Sequence, residues 1–100
     1  MILIDGRRRA EETPATFDVP PDHHKAAITA GDYVKIGIEV ADPLAPFSAE
    51  RFWVIVTEID GRSFKGIVNN DLTMTEFHGV KCDDPIDFDA DNILVILRGK

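Results

Sequence analysis

A chain of 100 residues is long enough for one core and too short for two. Its 44% hydrophobic content supports a folded core and excludes a disordered chain, and 11 Lys and Arg against 18 Asp and Glu leave a formal charge of -7 that disfavours nucleic-acid binding. A single cysteine, Cys82, excludes an internal disulfide and any multi-thiolate metal site.

The chain opens on Met1-Ile2-Leu3-Ile4, read as an N-terminal strand. It is too short for the apolar region of a signal peptide, and its charges, Arg7, Arg8 and Arg9, follow rather than precede it. The longest apolar runs, Phe52 to Val56 and Ile93 to Leu97, fall far short of the roughly twenty residues that span a bilayer. The expected address is the cytoplasm, where a lone free thiol is at home. Asp5 to Pro21 is polar, with Pro14, Pro20, Pro21 and an isolated Phe17, and reads as an arm crossing a surface. Its three arginines either pin the arm to acidic loops or meet a partner; they fall short of a nucleic-acid patch.

From residue 22 to 100 the pattern is that of a single β-rich domain. Asp22 can cap a short helix over 22–28 behind Pro20-Pro21, ending before Gly31. Tyr33 to Val40 alternates, with Val34, Ile36, Ile38 and Val40 on one face and Lys35, Gly37 and Glu39 on the other. Residues 41–49, with Pro43 and Pro46, form a loop. Phe52 to Ile59 is the strongest strand, Asp60-Gly61 signals a hairpin, and Ser63 to Val68 returns beside it. Asn69-Asn70-Asp71 stops that strand, and a loop with Met74 and Phe77 has room for one helical turn. Pro85 to Phe88 is a short strand, Asp89 to Asn92 a tight turn, and Ile93 to Leu97 a buried final strand. The expected fold class is mainly β: a small five-stranded, strongly bent antiparallel sheet or an SH3-like partly open barrel. Whether 33–40 pairs with 93–97 separates an SH3-like barrel from another five-stranded arrangement, since sheet order differs among these folds.

Three stretches resemble a known family. They are Gly31-Asp32-Tyr33-Val34-Lys35-Ile36, then Glu50 to Gly61 with its Phe52-Trp53, then Gly66-Ile67-Val68-Asn69-Asn70. Together, over roughly residues 31–97, they resemble the YegJ-like family of bacterial domains of unknown function. The resemblance implies a small β-rich module with a tryptophan-bearing strand, a hairpin and a strand ending in glycine-x-aliphatic-x-asparagine. It implies no reaction. Asp71 stands where the family carries proline, Gly79-Val80 where it carries glycine-aspartate, and its closing aspartate-tryptophan is missing near Ile93.

Few residues nominate themselves for chemistry. Asp87, Asp89 and Asp91 open like a calcium loop, yet Asn92 takes the place of its glycine and Arg98 that of its bidentate glutamate. With Asp83 and Asp84 they read as a solvated acidic loop. His78 and Cys82 stand four apart, a usable ligand spacing on a helical turn; His23 and His24, on one helix, point about 100° apart and read as an exposed pair. Cys82 beside His78 is also the sole nucleophile–base pair close in sequence, with no signature around it, so a packed thiol is the simpler reading. No glycine-rich phosphate loop exists, and no carboxylate pair stands out for glycoside chemistry.

The aromatic residues offer more. Phe52 and Trp53 point to opposite faces of one strand, so a one-faced core cannot bury both. Both are core if the arm or the 41–49 loop covers the second face. Otherwise Trp53, with Arg51 and the strand-ending Asn69 and Asn70, forms a recognition patch. The sequence therefore points to a non-enzymatic protein- or peptide-interaction module, without a cofactor, that meets a partner, self-association being one variant, through a strand edge or rim loop. The alternative is a small ligand- or metal-binding protein using the acidic 83–91 segment or His78 and Cys82. An acidic mimic of nucleic acid ranks lower, since the carboxylates gather between Asp83 and Asp91.

Overall fold

Tyr33–Glu39 (β2) and Ala49–Asp60 (β3), the two runs of apolar alternation, form the spine of the sheet. They pair antiparallel from Tyr33 opposite Ile55 to Glu39 opposite Ala49 in a computed structural model that describes residues 2–13 and 18–98. Ser63–Val68 (β4) returns along β3, and Pro85–Asp89 (β5) pairs with β4. On the other side of β2 two short strands lie end to end. Ile2–Leu3 (β1) pairs with Ile38 and Glu39, and Val95–Leu97 (β6) pairs with Tyr33 to Lys35.

The result is a mainly antiparallel β fold, a strongly bent sheet curled into a half-barrel. The last strand, entered through the 3₁₀ turn Ala90–Asn92, comes back to β2. That return pairing carries the curl of the sheet round the core. Among the described residues no pairing joins β5 to β6, so the barrel stays partly open.

Period two explains the core. Val34, Ile36 and Ile38 of β2, Phe52, Val54 and Val56 of β3, Phe64 and Val68 of β4 and Ile86 and Phe88 of β5 all face inward and are buried. Phe64 and Phe88 stack with ring centroids 5.4 Å apart. Ile93 follows the 3₁₀ turn into the same core. Asp89 caps that turn, accepting from Asp91 N at 2.7 Å while Asn92 Oδ1 accepts from Asp89 N at 2.9 Å.

The register of β3 against β4 slips between Val56 and Glu58. Val56 stands opposite Gly66 and Glu58 opposite Lys65, so Thr57 is an extra residue, a β-bulge. A bulge inverts the alternation beyond it. Without it Glu58 would follow Phe52, Val54 and Val56 into the core; with it Ile59 joins the inner face opposite Phe64, and Glu58 and Asp60 turn outward.

Several local expectations need correction. The polar segment after Ile4 contains a helix, Gly6–Glu12 (α1), rather than only a crossing arm. Apolar periodicity missed it because polar groups hold it. Asp5 accepts from Arg8 N at 2.9 Å, the i,i+4 pairs Arg7–Glu11 and Arg8–Glu12 line its surface, and Arg9 reaches Glu39 of β2 at 3.1 Å. Pro14 and Phe17 lie outside the described residues. The second helix is Asp22–Ala26 (α2), with Pro21 at its N-cap and Asp22 inside the first turn. β3 begins at Ala49 and takes in Glu50 and Arg51. The hairpin turn is Gly61-Arg62, one residue later than the Asp60-Gly61 signal, because positive φ is needed at its first central position and glycine supplies it. Of the final segment only Ile93 and Leu94 are buried; Val95 and Leu97 are 41% and 55% exposed.

Candidate functional site

The outer face of the sheet is where the pattern leaves apolar surface uncovered by the core. Register places residues of successive strands in rows across it. One row runs Leu97, Tyr33, Ile55, Ile67, Pro85 over β6, β2, β3, β4 and β5. Tyr33, Ile55 and Ile67 are half-buried, and Leu97 and Pro85 are exposed. The next row holds Val95, Lys35 and Trp53. Lys35 Nζ sits 4.9 Å from the Trp53 ring centroid, a cation–π contact between neighbouring strands. Of the two neighbouring aromatics, then, Phe52 is core and Trp53 remains half-buried on the opposite face.

One step further along β3, Arg51 stands opposite Gly37. A Cβ on Gly37 would lie 2.5 Å from Ile4 Cδ1, so only glycine leaves room for Ile4 on this face. The asparagines next to Trp53 serve the backbone. Asn70 Oδ1 accepts from Trp53 N at 2.6 Å and its Nδ2 donates to Asp71 O at 2.8 Å, while Asn69 N donates to Trp53 O at 2.8 Å. Asn70 thus prolongs the β3–β4 ladder, whereas the Asn69 residue is exposed beside the tryptophan.

In the opposite direction, past the bulge, the outer face turns acidic. Glu58 and Asp87 flank Lys65 in one row, and Asp60 and Asp89 flank Ser63 in the next. Glu58, Asp60, Asp87 and Lys65 enter no ion pair among the described residues. The outer face is therefore an apolar band with Lys35 and Arg51 along one side and carboxylates along the other.

The residues nominated for metal or acid–base chemistry do not come together in one site. His78 ends the short helix Thr75–His78 (α3), and its side chain is 2% exposed. Val80 N donates to its Nδ1 at 3.0 Å, so in the neutral ring the proton lies on Nε2, 2.8 Å from Glu50 Oε1. Gly79, in left-handed backbone, stops α3 before Cys82, so the four-residue spacing does not place both groups on one helical turn. Burial, with help from Asp83 and Asp71, pushes the Cys82 thiol above its ordinary value, away from thiolate chemistry. Asp91 pairs with Arg62 at 2.8 Å, Asp89 caps the 3₁₀ turn, and Asp84 meets Lys81 Nζ at 3.0 Å, so the acidic segment does not converge on one point. Lys81 hydrogen bonds hold the Asp84 carboxyl below its usual range. His23 and His24 pack edge to face on α2, both exposed. Among the described residues no group of three His, Cys, Asp or Glu could hold a metal ion.

Half-buried Glu50 and buried Lys25 carried no signal in the sequence. Glu50, at the inner end of β3, gathers four hydrogen bonds: Thr73 N and Oγ1 at 2.6 and 3.1 Å, Met74 N at 2.9 Å and His78 Nε2. Burial alone would raise its carboxyl, but these donors outweigh burial and hold it below its ordinary value. Glu50 thereby fastens the 70–80 loop, whose Met74 and Val80 are buried. Lys25 of α2 is buried near Asp22, Arg62 and Asp91, and burial pulls its amine down against those carboxylates.

No helix among the described residues is long and apolar enough to cross a membrane. Comparison of the chain with protein-family models, with curated proteins and with solved structures finds no match.

Proposed function

We propose that the protein is a non-enzymatic interaction module of the bacterial cytoplasm that binds a protein or peptide on the outer face of its sheet. The observation that carries this reading is the row Leu97, Tyr33, Ile55, Ile67, with Trp53 beside it, left half-buried or exposed where the inner face is sealed except at Ile59. An apolar row of this kind, rimmed by polar groups and anchored by an aromatic, has the chemistry of a docking surface. The resemblance of residues 31–97 to the YegJ-like modules is part of the same reading and brings no reaction with it. The free edges are less suited to adding a strand. On β5, Pro85 has no N–H and Asp89 N is already taken by Asn92, and β6 is only three residues long.

The test is affinity capture from cells with the intact protein and with Trp53→Ala, after circular dichroism confirms that the variant folds. A stoichiometric partner lost with the folded variant supports the reading. A partner retained by the variant, or none for the intact protein, counts against it.

A further inference from the structure

We infer that the outer face docks a second copy of the chain, about a twofold axis that runs along the Tyr33–Ile55–Ile67 row. The inference rests on the docking reading above and names the occupant. It starts from the bulge at Thr57. On β3 the outward residues in order are Arg51, Trp53, Ile55, then Glu58 and Asp60, so one strand carries its cation at one end, its carboxylates at the other and an apolar residue between. Lys35, opposite Trp53, adds to the cationic end, and Asp87, across Lys65 from Glu58, adds to the acidic one.

Such a column is complementary to itself under one rotation. Two copies laid face to face can be related by an axis along the strands or by one across them. An axis along the strands sets carboxylates over carboxylates. An axis along the apolar row inverts the strand direction: Ile55 meets Ile55, Glu58 of one copy lies over the Lys35–Trp53 pair of the other, and Asp60 lies toward Arg51. Each contact then occurs twice, as an isologous interface requires. The apolar row supplies the attraction, and the charges select the axis, since like charges brought together would oppose the other one. Glu58 and Asp60 make no ion pair among the described residues, which leaves their carboxylates to face a second copy. The face bulges outward across the strands, which centres the contact on β3 and its two neighbours.

A charge swap tests this. Sedimentation equilibrium would be run on the full chain, on Lys35→Glu, on Glu58→Lys and on an equimolar mixture of the two variants, with thermal melts to confirm that each folds. The wild type is expected to dimerise, each variant to associate about tenfold more weakly, and the mixture to recover association as a heterodimer, because the exchanged charges face each other again. A wild type that stays monomeric overturns the inference. So does a dimer indifferent to both substitutions, or a mixture that fails to recover. A monomeric wild type leaves the docking reading to its own test, in which Trp53→Ala still keeps or loses a different partner.

Discussion

The two faces of β3 have nearly equal apolar content in sequence and opposite fates in the fold. Phe52, Val54 and Val56 are sealed between sheet strands, α3's loop and the 3₁₀ turn, whereas Trp53 and Ile55 lie half-buried on the far side. A small half-barrel encloses one volume, so one face of a central strand is consumed by stability and the other stays outside the core. Glu50 marks the boundary. It sits at the end of the inner face, yet it is a carboxylate, and it works by holding the loop that closes that end of the core.

The largest effect that would sharpen this contrast comes from truncating the two aromatics in turn. Phe52→Ala should cost about 3–5 kcal/mol of unfolding free energy, the range for a buried aromatic, while Trp53→Ala should cost less than half as much. Urea denaturation of both variants would check it, and equal losses would break the distinction between the faces.

Glu50→Ala comes next, at about 1–3 kcal/mol, because Thr73 N, Met74 N and the His78 ring lose their acceptor together. Amide exchange should show the loss locally, as faster exchange at Thr73 and Met74, with the β2–β3 ladder unchanged at its centre.

The same carboxylate gives a pH dependence of known sign. Its folded value lies below the ordinary 4.5, so it contributes stability that is present above that value and is lost as pH falls through the lower, folded one. Stability measured downward from pH 5 should decline, and Glu50→Gln should decline less steeply over the same window. Parallel slopes in the two proteins would remove Glu50 as a source of the acid sensitivity.

The smallest effect belongs to the outer face. Lys35→Ala should cost only about 0.5–1 kcal/mol, through loss of the cation over the Trp53 ring, and should shift the tryptophan emission as the indole gains freedom. A loss as large as that of Phe52→Ala would mean that the outer row is structural after all.

Much of the architecture was legible because its cause is local. Alternation in Tyr33–Val40, the Ser63–Val68 strand and the apolar Phe52–Ile59 run reflect a pleat whose side chains alternate every residue, and each became the strand its pattern announced. The helix at Gly6–Glu12 was not legible, since polar pairs and a cap hold it and no apolar stripe advertises it. Of the nominated patch, Trp53 and Arg51 do share the outer face, whereas Asn70 is spent on the backbone of β3. His78 and Cys82 were nominated by spacing alone, and spacing fails once Gly79 ends the helix between them.

By itself the sequence determined a single acidic, β-rich chain with one cysteine, its strand alternation and the opposition of Phe52 and Trp53, all of which follow from composition and backbone period. Only the tertiary structure decided which aromatic is sealed, that Glu50 closes the 70–80 loop, and that Glu58 and Asp60 share a face with Arg51 and Trp53. The physical reason is that register and bulges are set by partner strands remote in sequence. A single extra residue at Thr57 inverts every side chain beyond it, and no local pattern within β3 announces where that residue falls.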